Sequence, residues 1–457
     1  MIILFENFKD FVNQMNGKTV NVVGLGVSNK PLIEILIKAG ARVIGRDANK
    51  DASVPYDIEL KSGEKYLDDL CGDYIFKSPG IRPDIKAFAD FKEKGGVLLS
   101  EMEVFFDICP CKIIGVTGSD GKTTTTTLIS ELLKEEGYKV HIGGNIGKPL
   151  LAETEFMSKD DICVVELSSF QLMTMKKSSD ISVITNMTPN HLDYHIDFNE
   201  YVDAKLNICK FQKAGGVVVL NADDCETVKR ISEIKSSIRY FSLTGKKDGI
   251  YYENGGIYCD GEKLLEASDI RIPGMHNVAN FMTAYMAVKD FVKKETLVKV
   301  AREFEGVAHR IEFVAEINGV KYYNDSIASS PTRTKACLNA FYSQGEKIIL
   351  IAGGKDKNLD FSDFGKEIVE KAKKLYLVGH LENPSVNTAE TIKKSVETVD
   401  KNFPVEILYT LKETVEKIKQ DAKPGDIVVL SPASTSFDKY KNFEVRGNHF
   451  KECVKNG

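Results

Sequence analysis

The sequence lacks the features that mark a membrane protein, a nucleic-acid-binding protein or a repeat protein. Among its 457 residues, no apolar run approaches the ~20 residues needed to cross a bilayer. The net charge of −5 gives no basic excess that would favour nucleic acid or an anionic membrane. The opening segment carries early acids and no basic stretch, so we expect no signal peptide. With 42% hydrophobic and 28% charged residues, the composition is that of a soluble globular protein.

Cysteine is scattered along the chain rather than paired. The nine cysteines include several inside apolar runs, which is typical of reduced, buried thiols in a cytoplasmic protein. Cys109 and Cys111 are the only pair close in sequence, and without a second pair they make a poor zinc site. We interpret this pair as a feature of a linker.

Short β-rich runs alternate with helical patterns almost throughout, which is typical of βαβ units on parallel sheets. Residues 235–270 differ, because aromatic and β-branched segments there flank the turn residues of a hairpin. A chain of this length needs more than one core. We therefore predict an α/β protein of three domains: a Rossmann-like domain over 1–105, a central P-loop NTPase-like domain with a mostly parallel sheet over 106–306, and a Rossmann-like C-terminal domain over 307–457.

The strongest functional signal is a glycine-rich turn between an apolar strand and a helix, in the string IIGVTGSDGKTT over residues 113–124. Glycines let backbone N–H groups converge on phosphate oxygens, and the helix N-terminus adds positive charge. Val116 stands where the usual motif has its first Gly, so an ordinary strand–turn–helix is the alternative. We favour nucleotide binding, because a strand precedes the turn and a helix follows it to about Glu136. The predicted contacts are Gly118, Ser119, Asp120, Gly121, Lys122, Thr123 and Thr124.

This loop resembles that of Mur ligases and folylpolyglutamate synthases, which also lack the first Gly, and the resemblance to Mur ligases continues along nearly the whole chain. It implies an amide-bond ligase that uses ATP and two Mg²⁺ ions. The strings ELSSFQL (166–172), TNMTPNHLD (185–193) and YVDAK (201–205) carry this resemblance in the central part of the chain.

The resemblance assigns roles to residues in these three strings. Glu166 would bind Mg²⁺ together with Thr123, and a strand-end acid beside the phosphate loop is suitably placed to do so. His191 would contact a second Mg²⁺. Lys205 would be carbamylated by CO₂ and bind metal as an anion. The implied catalytic residues are Lys122, His191 and Lys205.

His195 lies four residues after His191 and has no counterpart in the family pattern. We predict a surface position for it.

Further matches complete the implied nucleotide site. The strings GMHNVAN (274–280), AHRIE (308–312) and YNDSIAS (323–329) resemble family segments in which Asn277, Arg310 and Asp325 would contact ATP. Some family members carry Lys two residues after that Asp, where this chain has Ile327.

Two substrate ends are implied as well. The string VGLGVSN (23–29) begins like a dinucleotide fingerprint with Asn29 in place of the third Gly, so an NAD site with Asp47 is the alternative. The resemblance implies instead that the UDP-muramoyl substrate binds here, through Val27, Ser28, Asp47, Ser78 and Asn145.

The C-terminal strings AGGKDK (352–357) and LSPASTSFDKYKNFEVRG (430–447) resemble the family members that add D-glutamate. Lys357, Ser436 and Phe443 would hold that amino acid. A lysine and a hydroxyl suit its side-chain carboxylate.

These matches together predict a cytoplasmic monomer that joins D-glutamate to UDP-N-acetylmuramoyl-L-alanine in peptidoglycan precursor synthesis. The reaction would consume ATP through an acyl phosphate and release ADP and phosphate, without a nucleic-acid or membrane partner. The alternatives are another Mur ligase or a folylpolyglutamate synthase-type ligase, a dinucleotide-dependent dehydrogenase, and a non-catalytic nucleotide-binding switch.

Overall fold

A computed structural model describes residues 4–26, 29–246, 248–342, 345–357 and 359–456. The chain divides into two compact units, Met1–Ala267 with Ala279–Val300 and Ser268–Val278 with Ala301–Gly457. The described residues form three separate, mostly parallel sheets, two in the first unit and one in the second. The predicted α/β class is therefore confirmed.

The first sheet is built from strands that all run parallel: β1 Thr19–Val23, β2 Arg42–Asp47, β3 Glu59–Ser62, β4 Tyr74–Lys77 and β5 Val97–Leu99. The helices of this segment are α1 Phe8–Met15, α2 Asn29–Lys38, α3 Lys86–Glu93 and α4 Glu101–Ile108. The strand order is β3-β2-β1-β4-β5. Strand β3 was not predicted from the sequence, because this edge strand is mostly exposed and has no apolar run.

The second sheet has nine strands in the order β14-β13-β12-β11-β10-β9-β6-β8-β7. The strands are β6 Lys112–Thr117, β7 Val140–Gly144, β8 Ile162–Glu166, β9 Ile181–Ile184, β10 Val217–Asn221, β11 Ser237–Ser242, β12 Ile250–Glu253, β13 Gly256–Cys259 and β14 Glu262–Glu266. The helices that follow along the chain are α5 Lys122–Glu135, α6 Ser169–Leu172, α7 Phe198–Lys210, α8 Cys225–Lys229, α9 Met275–Val288 and α10 Lys294–Glu303. The predicted hairpin is confirmed, because β12 and β13 pair antiparallel.

The third sheet lies in the second unit and has the order β15-β16-β20-β17-β18-β19. Its strands are β15 Glu312–Ile317, β16 Val320–Asn324, β17 Ile348–Ala352, β18 Ala372–Val378, β19 Val405–Leu408 and β20 Ile427–Leu430. Its helices are α11 Pro331–Tyr342, α12 Phe364–Lys371, α13 Ala389–Val399, α14 Leu411–Asp421 and α15 Phe443–Asn456. Short 3₁₀ helices cover Leu151–Phe156, Ile231–Glu233, Ala267–Asp269 and Pro384–Val386.

Packing in the first unit fixes the strands that carry the candidate site. One hydrophobic core joins residues of the first and second sheets. Helix α5 buries Leu128, Ile129 and Leu132 completely, and each such side chain stabilises the fold by roughly 1.5–3 kcal/mol. Because β6, β8 and β9 run parallel, their carboxyl ends bring three chain segments to one edge of the sheet. In the described ranges, no helix combines the length and apolarity of a transmembrane span.

Candidate active site

The glycine-rich turn leaves β6 and enters α5 through two residues with positive φ. Gly118 has a φ of +143° and Gly121 a φ of +77°. A Cβ on Gly118 would lie 1.9 Å from the Thr185 Oγ1, and one on Gly121 would lie 2.4 Å from the Asn280 Oδ1. Any other side chain would therefore strain the backbone and displace a neighbouring side chain at both positions, and glycines of this kind let a loop curl around a phosphate.

Residues that follow β9 brace this turn. The backbone N–H groups of Ser119 and Asp120 donate to the Asn186 Oδ1 at 3.1 and 2.9 Å, and Thr185 Oγ1 donates to the Asp120 carbonyl at 2.6 Å. The sequence analysis did not single out Asn186, and only its place in the string after β9 could have drawn attention to it.

Lys122 folds back over the turn. Its Nζ donates to the carbonyl oxygens of Gly118 at 2.9 Å and Ser119 at 2.8 Å. The predicted metal ligand Thr123 is half-buried in the first turn of α5, and Thr124 is buried beside it. The structure thus gathers the seven predicted loop residues at one strand–helix junction.

Glu166 ends β8 and presents a carboxylate oxygen that lacks a partner. The residue is 1% exposed, and its Oε1 accepts a hydrogen bond from the Asn145 Nδ2 at 2.9 Å. Its Oε2 is buried without a hydrogen-bond partner. A buried, unpaired carboxylate oxygen is costly, and a divalent cation is one group that would satisfy it. The residues present therefore fit a Mg²⁺ ion at this point.

His191 lies after β9 in the left-handed region, with a φ of +55°. Its ring packs edge-on against Phe170 with the ring centroids 4.9 Å apart. Burial lowers the pKa of His191, and the positive charge of Lys122 lowers it further against the opposing charge of Asp193. The neutral imidazole that results is the form that binds metal.

Lys205 lies on α7 with 2% of its surface exposed. Its Nζ donates to the Gly118 carbonyl at 2.8 Å and lies 4.7 Å from the centre of the Tyr201 ring. Burial lowers the pKa of Lys205 well below its usual value, and the neighbouring Lys122 adds to this effect. A lysine in this state keeps a neutral, nucleophilic amine, which carbamate formation requires.

The prediction of a surface position for His195 is wrong. The residue is 2% exposed, its Nε2 is 2.9 Å from the Ser169 Oγ, and its ring stacks on Phe170. The sequence analysis had no family match for His195, and a lone histidine gives no periodic signal of burial. The His195 ring therefore stacks on Phe170, the same aromatic ring that the His191 ring contacts.

The predicted contacts of the UDP substrate fall in two places. Asp47 lies at the end of β2, where its carboxylate accepts from the Leu25 N–H at 2.8 Å, and Ser78 follows β4 with its N–H donating to the Val23 carbonyl at 2.7 Å. Both residues therefore border the turn after β1. Asn145 instead contacts Glu166. Val27 and Ser28 lie outside the described residues.

The three residues of the second unit that are predicted to contact ATP, Asn277, Arg310 and Asp325, differ in burial and in their hydrogen-bond partners. Asn277 begins α9 with its Nδ2 donating to the Pro273 carbonyl at 2.6 Å, and Arg310 is half-buried. Asp325 follows β16, where burial raises its pKa to about 7 and its Oδ2 accepts from the Ser431 hydroxyl at 2.7 Å.

The three residues predicted to bind D-glutamate also lie in the second unit. Lys357 is exposed with its Nζ 5.9 Å from the centre of the Phe437 ring. Ser436 is 2% exposed, and Phe443 begins α15.

Arg446 on α15 was not singled out from the sequence. It is 4% exposed and donates to the Ser326 Oγ at 3.0 Å and to the Ser434 carbonyl at 3.1 Å. Its Nη1 is buried without a hydrogen-bond partner. The side chain ties together the segments that follow β16 and β20.

Two family models match the chain, the Mur ligase middle domain over residues 116–288 and the Mur ligase glutamate ligase domain over residues 309–434. The chain belongs to the Mur ligase family, as its motifs predicted.

Its relatives give a more specific likeness. The chain is 47% identical over 463 residues to UDP-N-acetylmuramoylalanine–D-glutamate ligase of Clostridium kluyveri. The alignment covers 98% of this chain and 99% of that protein. It is 47% identical over 464 residues to the protein of the same name from Clostridium botulinum, covering 98% of each.

Solved structures support the same fold. The crystal structure of UDP-N-acetylmuramate-alanine ligase MurC from Thermotoga maritima matches with a TM-score of 0.58 and 17% identity, over 96% of this chain and 99% of that chain. The MurF ligase from Thermotoga maritima in complex with ADP matches with a TM-score of 0.56 and 18% identity, over 96% of this chain and 95% of that chain.

Proposed function

We propose that this protein joins D-glutamate to UDP-N-acetylmuramoyl-L-alanine at the expense of ATP, as a step of peptidoglycan precursor synthesis. The near full-length identity of 47% to relatives that carry the name of this reaction supports the substrates. The observation that carries the chemistry is the sheet edge where the phosphate loop, the unpartnered Glu166 oxygen and the buried Lys205 amine converge.

The reaction needs activation, because a carboxylate does not expel oxide when an amine attacks it. We propose that the L-alanine carboxylate attacks the γ-phosphorus of ATP, which forms an acyl phosphate and releases ADP. The neutral amine of D-glutamate then attacks the acyl carbon, an amide bond forms, the C–O bond to phosphate breaks so that phosphate leaves, and the amine releases one proton to solvent. Two anions meet in the first step, so the positive charge of Lys122 and the helix N-terminus of α5 offset their repulsion.

The metal-binding part of the proposal assigns Thr123 and Glu166 to one Mg²⁺, and His191 and carbamylated Lys205 to a second. Bound Mg²⁺ would neutralise phosphate charge and align the two reacting groups. The neutral amine of Lys205 attacks CO₂, a C–N bond forms, and one proton is released to solvent. This step turns a buried lysine into an anion beside Glu166, a donor set suited to a hard cation.

Substrate binding is assigned to the residues that the family resemblance implies. The turn after β1 with Asp47 and Ser78 would bind the UDP group, and Asn145 the muramoyl arm. The nucleotide would contact Asn277, Arg310 and Asp325. Lys357, Ser436 and Phe443 would bind D-glutamate, for which the buried Arg446 fixes the supporting segments.

We also propose that the protein is a cytoplasmic monomer of three domains over 1–105, 106–306 and 307–457. The nine cysteines are free, which agrees with a reducing compartment. Size-exclusion chromatography with light scattering tests the monomer, and limited proteolysis followed by mass spectrometry tests the two boundaries.

The proposed activity is tested by measuring ADP release from purified protein with UDP-N-acetylmuramoyl-L-alanine, ATP and one amino acid at a time. We expect release with D-glutamate and background rates with L-glutamate, L-lysine and meso-diaminopimelate. Release with another amino acid would identify a different Mur ligase. ADP release at the same rate with and without an amino acid would indicate a nucleotide hydrolase or switch.

A further inference from the structure

Three cysteines that are far apart in sequence meet in the first unit. The Cys111 Sγ lies 3.2 Å from the Cys163 Sγ and 3.5 Å from the Cys109 Sγ, and the Cys109 and Cys163 sulfurs are 3.7 Å apart. We call Cys109, Cys111 and Cys163 the cysteine cluster. The sequence pattern indicated a linker feature and a poor zinc site at Cys109 and Cys111, and it did not reveal the third thiol, which lies 52 residues beyond Cys111.

The cluster is distinct from the candidate active site. Cys109 caps α4, Cys111 precedes β6, and Cys163 lies near the start of β8. The phosphate loop and Glu166 lie at the opposite, carboxyl ends of β6 and β8. A group bound by the cluster would therefore tie the α4–β6 connection to β8 without contacting the nucleotide site.

The surroundings add a fourth sulfur. The Met157 Sδ lies 3.5 Å from the Cys163 Sγ. Cys163 is fully buried, Cys111 is 7% exposed, and Cys109 is half-buried. Among the described residues, this is the one group of three or more His, Cys, Asp or Glu side chains whose ligand atoms converge closely enough to hold a metal ion.

The sulfur spacing matches a small metal ion. Zn–S bonds of about 2.3 Å at tetrahedral angles place sulfurs about 3.8 Å apart. The observed separations of 3.2, 3.5 and 3.7 Å would each need to expand, by about 0.6 Å for the shortest and about 0.1 Å for the longest.

We propose that the cysteine cluster is a binding site for a thiophilic closed-shell metal cation, Cu(I) or Zn(II). Thiolate and thioether ligands select these ions over the hard Mg²⁺ that the phosphate site suits. Binding displaces the remaining thiol protons to solvent and leaves the metal coordinated by three thiolates, with Met157 beside them.

A surface cavity borders two residues that lie next to the cysteine cluster, Pro110 and Met157. The cavity of about 410 Å³ is lined by Ile108, Pro110 and Met157. Pro110 separates the two linker cysteines, and Met157 contacts the third.

The proposal is tested on the full-length protein, reduced and stripped of metal under anaerobic conditions. Cu(I) and Zn(II) are titrated separately against a competing chelator, with native mass spectrometry to count bound ions and X-ray absorption to identify ligand atoms. We expect one ion per chain, three sulfur ligands, and a rise in Tm on binding because the metal binds only the folded chain. The arm with the tighter binding identifies the ion.

Cys163→Ser and Cys109→Ser are each expected to weaken binding about 100-fold and to remove the rise in Tm. Cys109→Ser keeps the test decisive if the buried Cys163→Ser variant does not fold. Cys259→Ser is the matched control, because Cys259 is buried with the Met286 Sδ 3.9 Å from its Sγ but belongs to no cysteine cluster. It should bind like wild type.

Equal affinity of wild type and Cys109→Ser would overturn the proposal, as would a ligand shell of nitrogen and oxygen. A Cys111–Cys163 disulfide that persists in reductant, seen as a mass two daltons lower, would contradict it too.

Discussion

Replacing Lys205 by methionine should change stability and activity in opposite directions. The Lys205 side chain is 2% exposed, and its Nζ donates to the Gly118 carbonyl at 2.8 Å. That carbonyl also accepts from Lys122 at 2.9 Å, so it keeps a donor in the variant. Methionine retains most of the side-chain volume, which avoids a large cavity.

The change in the free energy of unfolding depends on two contributions, the hydrogen bonding that is lost and the desolvation cost of the amine that is removed. The lost hydrogen bond to the Gly118 carbonyl has a net value of roughly 0.5–1.5 kcal/mol, and the longer one to the Thr117 Oγ1 at 3.4 Å contributes less, whereas desolvating the amine costs at least as much as both. We therefore expect the free energy of unfolding of Lys205→Met to match or exceed that of wild type by up to about 2 kcal/mol, in CO₂-free buffer at pH 7.

The contribution of Lys205 to the stability of the wild-type protein also depends on pH. Burial lowers the pKa of folded Lys205 well below 10.5, so the unfolded chain binds more protons there. Wild-type stability should thus rise with pH up to about 10.5, and the variant should lack this contribution. Urea unfolding at several pH values measures it.

Activity should fall in the same variant, because methionine cannot form a carbamate. We expect ADP release to drop by at least about 100-fold, and short carboxylic acids to restore part of the activity of Lys205→Ala, where the shorter side chain leaves space. Lys210→Met, on an exposed position of α7, is the matched control and should behave like wild type. Full activity of Lys205→Met, or a loss of stability above about 2 kcal/mol, would refute the reasoning.

Further predictions concern other site residues. Gly118→Ala should weaken ATP binding at least tenfold in calorimetry, because a Cβ would lie 1.9 Å from the Thr185 Oγ1. Glu166→Gln should abolish the rise in Tm that Mg²⁺ and ADP produce, since it keeps an acceptor for Asn145 but removes the charge. Burial raises the pKa of Asp325 to about 7, so its protonated form stabilises the fold at low pH and this contribution is lost as pH rises through about 7. Asp325→Asn should flatten that decline, measured by urea unfolding at pH 5 and 8.

Each of these predictions has a contradicting outcome. Wild-type ATP affinity in Gly118→Ala would exclude the turn as the phosphate site. A preserved Mg²⁺-dependent rise in Tm in Glu166→Gln would place the metal elsewhere, and an unchanged pH profile in Asp325→Asn would assign the titration to another buried group.

The sequence predicted most of the fold where local pattern and tertiary environment agree. The apolar strand, the turn glycines and α5 are encoded within residues 113–136, and the structure has the helix at Lys122–Glu135. The exposed edge strand β3 has no such pattern and was missed. Contacts across long sequence separations were also out of reach, including Cys163 with Cys111, Asn186 with the phosphate loop, and His195 with Ser169. In each case, no local sequence pattern indicates that the two segments lie side by side in the fold.

The most direct test of the proposed ligation uses UDP-N-acetylmuramoyl-L-alanine labelled with ¹⁸O in both carboxylate oxygens. After a reaction with ATP and D-glutamate, mass spectrometry reads the label in the phosphate and in the product. The acyl-phosphate route predicts one labelled oxygen in the released phosphate and one in the new amide. Unlabelled phosphate, or no product with D-glutamate, would contradict it.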